Sequence, residues 1–214
     1  MTRDEASLDR PHVFLPGGGP QAPVLLALHG TGGSEDSMAD FARQLKDDAA
    51  VLAPRGLVVE GPHARWFRRL GEGVFDVDDV ELQADRLADF VLHAEETYGL
   101  GGRRLFAVGF SNGANMALAL ATRHPELLAG VVAFSGMYPY ADRDLPTGVS
   151  GLAALLLNGH DDPMAPQPSV ARLEEQLRRK GATVDRRTRA GGHGVTEDEL
   201  QTARDWLEAE AARL

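Results

Sequence analysis

A serine stands at the centre of the glycine-containing pentapeptide Gly109-Phe110-Ser111-Asn112-Gly113. The apolar run Leu105–Val108 precedes it, and a stretch rich in Ala, Leu and Met extends from Asn112 to Arg123. This order predicts a strand, a sharp turn and a helix, with the serine hydroxyl held above the sheet as a nucleophile. The start of the helix places the Asn112 N–H where a negatively charged oxygen would be stabilised. The alternative is a strand–helix turn whose serine only caps the helix.

A serine hydroxyl is a weak nucleophile unless a base accepts its proton. With a serine on such a turn, the order along the chain is serine, acid, histidine. Three histidines follow Ser111. His124 ends the helix and is expected to point away from the serine, and His160 leaves no strand-end carboxylate between itself and Ser111. His193, in a glycine-flanked loop, is therefore the predicted base.

The orienting acid should follow the strand that precedes the His193 strand. The apolar run Ala153–Leu157 ends in Asn158-Gly159-His160-Asp161-Asp162-Pro163. Asp144 lies in a loop and Asp185 inside a strand, so both fit less well. Spacing leaves Asp161 and Asp162 open, and the carboxylate that does not orient the imidazole is expected to be a solvated turn residue.

A second glycine-rich turn, His29-Gly30-Thr31-Gly32-Gly33, follows the early strand Val24–Leu28. Such a turn supplies the second N–H of an oxyanion hole, and we assign that donor to the Thr31 backbone, with Asn112 as the first. A phosphate-binding loop is the rival, but neither nucleotide-binding glycine pattern is present. His29 is interpreted as a satisfied core residue that anchors the turn and not as a metal ligand.

The elements that must position these residues alternate along the chain. Short apolar runs predict strands of a mostly parallel sheet with helices on both faces, an α/β architecture in a single domain of residues 1–214. The predicted strands are Val24–His29, Val51–Ala53, Leu105–Phe110, Gly130–Phe134, Ala153–Leu157 and Thr183–Arg187, with His12–Leu15 as an antiparallel edge.

Caps and apolar stripes locate the remaining helices. Asp78 with Glu81 and Thr196 with Glu199 resemble capping boxes, and Gly181 is expected to end a helix. The apolar stripes are Leu87, Phe90, Val91 and Ala94; Val170, Leu173 and Leu177; and Leu200, Ala203, Leu207, Ala211 and Leu214.

The segment 65–76 is long for a strand–helix connection and is expected to be a loop near the active site. Its Trp66, Phe67 and Arg68, together with Met137 and Met164, are predicted to line the substrate pocket. A solvated loop and ordinary core packing are the alternatives. Nucleic-acid binding by its arginines and aromatics is disfavoured by the small extent of the segment and by the net charge.

Composition restricts the remaining classes. The 214 residues carry a formal net charge of −10 and no cysteine, which disfavours nucleic-acid partners and excludes disulfides and a cysteine nucleophile. Met1–Arg10 shows no signal peptide and no run is long enough to span a membrane, so a cytoplasmic location is expected. Monomer and homodimer both remain open.

Together these motifs resemble the phospholipase/carboxylesterase family of α/β-hydrolases, including small bacterial carboxylesterases. The resemblance rests on LHGTGG (28–33), VGFSNGANMAL (108–118), NGHDDPMAP (158–166) and GGHGVTEDEL (191–200). It implies the α/β-hydrolase fold, no metal, no organic cofactor, and a small-molecule ester as substrate. The family's G-x-x-D-P pattern falls on Gly159 to Pro163 and implies that Asp162 is the acid.

The resemblance also sets the expected reaction. It implies hydrolysis of small to medium acyl esters through an acyl-enzyme. A lysophospholipase or an acyl-protein thioesterase is the alternative, although the thioesterases carry HGLGD where this chain has HGTGG. A non-catalytic binding module is disfavoured, because nothing else would require a serine, an aspartate and a histidine at those three loops.

Overall fold

Strands and helices alternate along most of the chain in the computed structural model, which describes residues 8–213. In chain order the elements are β1 (His12–Leu15), β2 (Val24–Leu28), α1 (Glu35–Leu45), β3 (Ala50–Pro54), β4 (Val58–Glu60), β5 (His63–Arg65), β6 (Arg69–Gly71), β7 (Val74–Phe75), α2 (Val77–Tyr98), β8 (Leu105–Phe110), α3 (Asn112–Arg123), β9 (Gly130–Phe134), β10 (Ala153–Gly159), α4 (Gln167–Arg179), β11 (Thr183–Arg189) and α5 (Glu197–Ala211).

The central sheet has the strand order β1-β3-β2-β8-β9-β10-β11. β1 pairs antiparallel with β3, as predicted for His12–Leu15, and the other neighbouring strands pair in parallel. The last two strands continue to Gly159 and Arg189, beyond the predicted ends at Leu157 and Arg187. The carboxyl ends of the parallel strands therefore meet at one edge of the sheet, where the loops with the candidate residues emerge.

Helices cover both faces of the sheet, which confirms the predicted α/β-hydrolase architecture. Residues of α2, α3 and α4 pack with Leu26 and Leu28 on one face. Residues of α1 and α5 pack with Leu25 and Ala27 on the other. Strands with buried side chains on both faces need apolar residues at every position, which is why β2 reads VLLAL without a polar residue.

Two of the three predicted helix ends have the expected form. Thr196 and Glu199 form the capping box of α5, and Gly181 follows α4 with a φ of 101°. The start of α2 was placed too late. The residue that caps it is Asp76, whose side chain accepts from Asp79 N, while Asp78 lies inside the first turn. Of the sequence interpretations above, those on Met1–Ser7 and Leu214 lie outside the described residues.

The segment expected to be a loop contains one small hairpin, and a second small hairpin directly precedes it. β4 pairs with β5, and β6 pairs with β7, each antiparallel. The first hairpin ends at Arg65, immediately before the buried pair Trp66 and Phe67. The prediction of a loop over residues 65–76 was therefore wrong in structure, because backbone pairing and two buried aromatic rings fix it.

Candidate active site

Ser111 lies at the junction of β8 and α3 in a strained backbone conformation, with φ 53° and ψ −116°. Such a positive φ is uncommon for a residue with a side chain and concentrates at functional sites. The Ser111 N–H donates to Phe134 O at 2.9 Å, which ties the turn to the adjacent strand. The Ser111 side chain makes no capping hydrogen bond to α3. The alternative of a serine that only caps the helix is therefore wrong.

The turn around Ser111 is sharp because two glycines allow backbone to approach backbone. A Cβ on Gly113 would lie 2.1 Å from Leu28 O, and one on Gly109 would lie 2.5 Å from Gly113 C. Both separations are far below van der Waals contact. The two glycines of the pentapeptide are thus required for α3 to begin against the end of β2.

His193 and Asp162 are paired across the loops that follow β11 and β10. His193 Nδ1 lies 2.8 Å from Asp162 Oδ2. The Asp162 side chain is fully buried, whereas the imidazole is 19% exposed. Asp162 Oδ1 accepts from Met164 N at 2.8 Å and from Ala165 N at 3.2 Å, so the carboxylate is held on both oxygens. This geometry leaves Nε2 as the outward nitrogen of the ring.

The other candidates lie elsewhere. The Asp161 side chain is 69% exposed and contacts its neighbour His160, whose hydrogen bond lowers the pKa of that carboxyl. His124 Nε2 binds Asp85 Oδ1 at 2.7 Å, at the far end of α3 from Ser111. The structure therefore pairs His193 with Asp162 and not with Asp161.

The His193 loop is held beside Ser111 by its neighbours. The rings of His193 and Phe110, the residue before Ser111, have centroids 5.0 Å apart. Ser135 Oγ donates to Gly194 O at 3.1 Å, and Arg189 Nη2 donates to Gly192 O at 3.1 Å. Phe110, Ser135 and Arg189 thus position the imidazole, and none of these supporting contacts is visible as a motif in the sequence.

The candidate oxyanion donors share one cavity with the serine. Thr31, Ser111 and Asn112 all line it, together with Met164. Within residues 8–213, neither Thr31 N nor Asn112 N donates a hydrogen bond to the protein, so both N–H groups are available to a ligand. The Thr31 side chain makes a contact of its own, since its Oγ1 accepts from Arg65 Nη1 at 2.9 Å.

The end of the first hairpin contacts both the loop that contains Thr31 and the turn that contains Asn112. Gly32 N donates to Ala64 O at 3.0 Å, and Trp66 N donates to Asn112 Oδ1 at 2.8 Å. Trp66 Nε1 also donates to His29 O at 2.8 Å. We define these consecutive residues, Ala64, Arg65 and Trp66, as the bracing tripeptide.

His29 is the buried anchor that the sequence predicted. Its ring is 1% exposed, Nδ1 lies 2.7 Å from Gly30 O, and Nε2 accepts from Gly56 N at 2.9 Å. Burial lowers the pKa of His29, against the Gly30 hydrogen bond, which raises it. Since Nε2 accepts a hydrogen bond, Nδ1 carries the single ring hydrogen and the imidazole is neutral.

Three predicted pocket residues are placed away from the cavity. Trp66 and Phe67 are 1% and 0% exposed and belong to the main core, so they cannot contact a substrate. The Arg68 side chain is 62% exposed and pairs with Asp76 at 2.8 Å. The pocket assignment of these three residues was wrong, because aromatic side chains in this segment gain more by burial beneath the sheet edge than the sequence pattern reveals.

The methionines are divided between two adjoining cavities. Met164 lines the Ser111 cavity, as predicted. Met137 lines a neighbouring cavity that shares Gly73 and Phe75 with it. Arg65 and Arg69 also line the Ser111 cavity, and no motif in the sequence points to them.

Thr31 also lines a second pocket, of about 300 Å³, on its other side. The apolar side chains that line it are Met38, Phe41, Phe110 and Val195. The arrangement therefore offers an apolar compartment and a polar one on either side of the candidate oxyanion loop. A larger groove of about 760 Å³ lies between β11 and α5, is lined largely by charged residues, and contains none of Ser111, Asp162 and His193.

Two further findings concern the described residues only. No helix within residues 8–213 is both long and apolar enough to cross a bilayer. The same residues contain no group of three or more His, Asp or Glu side chains arranged to hold a metal ion.

Comparison with known proteins gives the family. The sequence profile described as Phospholipase/Carboxylesterase matches residues 11–211. A Bacillus subtilis (strain 168) relative named as a hydrolase, MhqD, is 38% identical over 183 residues, covering 86% of this chain and 91% of the relative. Esterase YpfH of Escherichia coli (strain K12) is 27% identical, covering 88% of this chain and 83% of YpfH.

A solved structure agrees with the sequence relatives. The crystal structure of the Bacillus cereus carboxylesterase superposes with a TM-score of 0.89 at 33% identity, covering 94% of this chain and 95% of that one. The chain therefore belongs to the phospholipase/carboxylesterase family of α/β-hydrolases and is an ester hydrolase.

Proposed function

We propose that the chain hydrolyses small to medium carboxylic esters through an acyl-enzyme on Ser111. The observation that carries the proposal is the His193–Asp162 pair at 2.8 Å, in a loop packed on the residue before a strained, uncapped serine. In this proposal Ser111 is the nucleophile, His193 is its base, and Asp162 orients the imidazole. The family supports ester hydrolysis in general, and the residue assignments are our inference.

In the first step His193 Nε2 accepts the Ser111 proton while Oγ attacks the ester carbonyl carbon. Asp162 accepts a hydrogen bond from the Nδ1–H group, which fixes the ring tautomer and stabilises the imidazolium that forms. The carbonyl oxygen becomes an oxyanion, which the N–H groups of Thr31 and Asn112 bind. Asn112 is the first residue of α3, so the partial positive charge of the helix N-terminus adds to this stabilisation.

The tetrahedral intermediate collapses when the C–O bond to the alcohol breaks. The imidazolium returns its proton to the leaving alkoxide, and the acyl group stays on Ser111. Water then attacks the acyl-enzyme with His193 again as base, releasing the acid and restoring the serine. The Ser111 cavity has a volume of about 40 Å³, which favours a short group on that side of the reacting carbon.

Fluorophosphonate labelling combined with an ester panel tests this proposal. The label should react with Ser111, as located by peptide mass spectrometry, and not with Ser135, the other positive-φ serine at a strand end. Ser111→Ala should lose about 10⁴–10⁶ in kcat on p-nitrophenyl esters while keeping its thermal unfolding midpoint. Labelling at another serine, or a variant that retains a tenth of wild-type turnover, would place the nucleophile elsewhere.

The same panel separates the reaction classes. Esters of acetate, butyrate and octanoate are compared with an acyl-thioester and a lysophospholipid, all under equal conditions. A highest kcat/KM on the shorter esters supports the proposal. A clear preference for the thioester or the lysophospholipid would replace it with the alternative function on the same residues.

A further inference from the structure

Two arginines line the cavity that contains Ser111, and the proposed reaction uses neither. Arg65 ends β5, and Arg69 begins β6, so both guanidinium groups come from the two hairpins that follow β3. A neutral ester offers no partner for either charge. Their presence beside the nucleophile therefore requires a separate explanation.

Arg65 is buried, at 4% exposure, but not all of its donors are used. Nη1 donates to Thr31 Oγ1 at 2.9 Å, and Nε donates to Phe67 O at 3.4 Å. These two contacts fix the plane of the guanidinium. Within residues 8–213, no hydrogen bond from Nη2 to the protein is found, so this end of the fork remains available in the cavity wall.

Arg69 competes with Arg65 for one carboxylate. Arg69 Nε and Nη2 both donate to Glu60 Oε1, at 2.9 and 2.7 Å, while Glu60 Oε2 lies 3.2 Å from Arg65 Nε. Two positive charges thus share a single negative charge. Burial, and then the charge of Arg69, lowers the pKa of Arg65, which indicates that Glu60 does not fully compensate for its burial.

The remaining charge on the cavity wall is Glu72. It is solvent-exposed, and water screens the field of an exposed carboxylate far more than that of a buried group. The inner part of the cavity, beside Thr31 and Ser111, is therefore the positive part. The unused Arg65 Nη2 can donate a charge-assisted hydrogen bond to a carboxylate oxygen, and the positive charge of the two arginines favours such an anion.

We propose that the preferred substrates carry a carboxylate in addition to the ester, bound by Arg65 and Arg69. The carboxylate belongs to a monoester of a short dicarboxylic acid or to the acyl ester of a short hydroxy acid. The inference rests on the proposed function, since it places the carboxylate relative to a reacting ester at Ser111. In this arrangement the uncharged part of the substrate occupies the apolar pocket that Thr31 also lines.

Two matched substrate pairs test the proposal by titration of released acid at constant pH. Monoethyl succinate is compared with ethyl 4-methylpentanoate, where an isopropyl group replaces the carboxylate on the acyl side. 3-Acetoxypropanoate is compared with 3-methylbutyl acetate, the same replacement on the alcohol side. We expect kcat/KM to be at least about tenfold higher for the anionic member of one pair, since charged hydrogen bonds supply this order of discrimination. That pair identifies the side that carries the carboxylate.

Three variants assign the effect to the arginines. Arg69→Gln should lower the ratio of kcat/KM on the anionic ester to kcat/KM on its neutral partner about tenfold. Glu60→Gln, which frees both guanidinium groups, should raise the anionic preference. Arg68→Gln is the matched control, since Arg68 adjoins the same hairpin but pairs with Asp76 outside the cavity. It should alter neither ratio.

The outcomes separate the two proposals. If Ser111-dependent hydrolysis occurs but neither pair favours the anion, or if Arg69→Gln and Arg68→Gln behave alike, the carboxylate site is refuted and the esterase proposal stands. If no ester is hydrolysed and Ser111 is not labelled, the esterase proposal itself fails. A loss of both ester types in Arg69→Gln, with an unchanged unfolding midpoint, also contradicts a selective role for Arg69.

Discussion

Asp162 Oδ2 lies 2.8 Å from His193 Nδ1, and the preceding residue, Asp161, directs its carboxylate to solvent. Asp162→Asn should lower kcat by about 10²–10⁴, because an amide in place of the carboxylate no longer fixes the ring tautomer or stabilises the imidazolium. Asp161→Asn, the neighbouring control, should stay near wild-type activity. Steady-state kinetics on one ester decide, and equal losses in the two variants would show that Asp162 does not orient His193.

Trp66 and Phe67 should act on stability. Each buries a large ring in the main core, so Trp66→Ala and Phe67→Ala should each lower the free energy of unfolding by about 3–5 kcal/mol. Arg68→Ala, an exposed neighbour, should change it by less than about 0.5 kcal/mol. Denaturant unfolding gives the comparison. If the variants are stable but prefer a different acyl length, both aromatic side chains line the pocket instead.

Substitution of Thr31 distinguishes the backbone contribution to the oxyanion hole from that of the side chain. Thr31→Val removes the acceptor of Arg65 Nη1 but keeps the backbone N–H, so kcat should fall by no more than about tenfold. The free energy of unfolding should fall by about 1–3 kcal/mol, since a buried charged donor loses its partner. Thr31→Ser keeps the hydroxyl and serves as the control. A loss of 10²-fold or more in kcat for the valine variant would be of the size expected for a lost oxyanion donor.

His29 makes stability depend on pH with a definite sign. Burial lowers its pKa in the folded protein, so the unfolded chain binds a proton that the folded chain does not. The contribution of the neutral ring is present above the unfolded pKa of about 6.5 and declines as the pH falls through that value. The decline approaches at most about 1.4 kcal/mol per pH unit.

A variant isolates the His29 contribution. Urea unfolding of the wild type and of His29→Gln, whose side-chain oxygen can still accept from Gly56 N, should be measured between pH 5 and 8. The wild type should lose more stability than the variant on acidification. Parallel pH profiles would mean that His29 is protonated in the folded state.

The sheet and the candidate triad could be predicted from sequence because each rests on local patterns. β8, the pentapeptide and α3 are contiguous, and strand order along the chain places His193 and an aspartate at the same edge. The choice of Asp162 over Asp161 was different. Spacing allowed both, and only the family pattern selected the residue whose side chain the structure buries.

The pocket could not be predicted in the same way, since it depends on which faces of two short hairpins turn inward. Trp66, Phe67 and Arg68 carry the strongest compositional signal, yet the residues of this segment that line the cavity are Arg65, Arg69, Glu72, Gly73 and Phe75. Strands of two or three residues give no usable alternation pattern. Phe41 and Val195 come from distant parts of the chain and meet only through the fold.

The bracing tripeptide adds a link between the two loops that follow the paired strands β2 and β8. Ala64 and Arg65 contact the Thr31 loop, while Trp66 contacts Asn112. Because a strand has a fixed rise per residue, the tripeptide helps to fix the distance between the two N–H donors. An insertion in either loop outside these contacts leaves the tripeptide unchanged, whereas one residue added between Ala64 and Arg65 lengthens it. We expect that insertion to abolish turnover, and one added beside Gly101, in the exposed turn after α2, to leave most of it, as measured by kcat on a single ester. The chain should therefore tolerate an added residue in an exposed turn far better than within the bracing tripeptide.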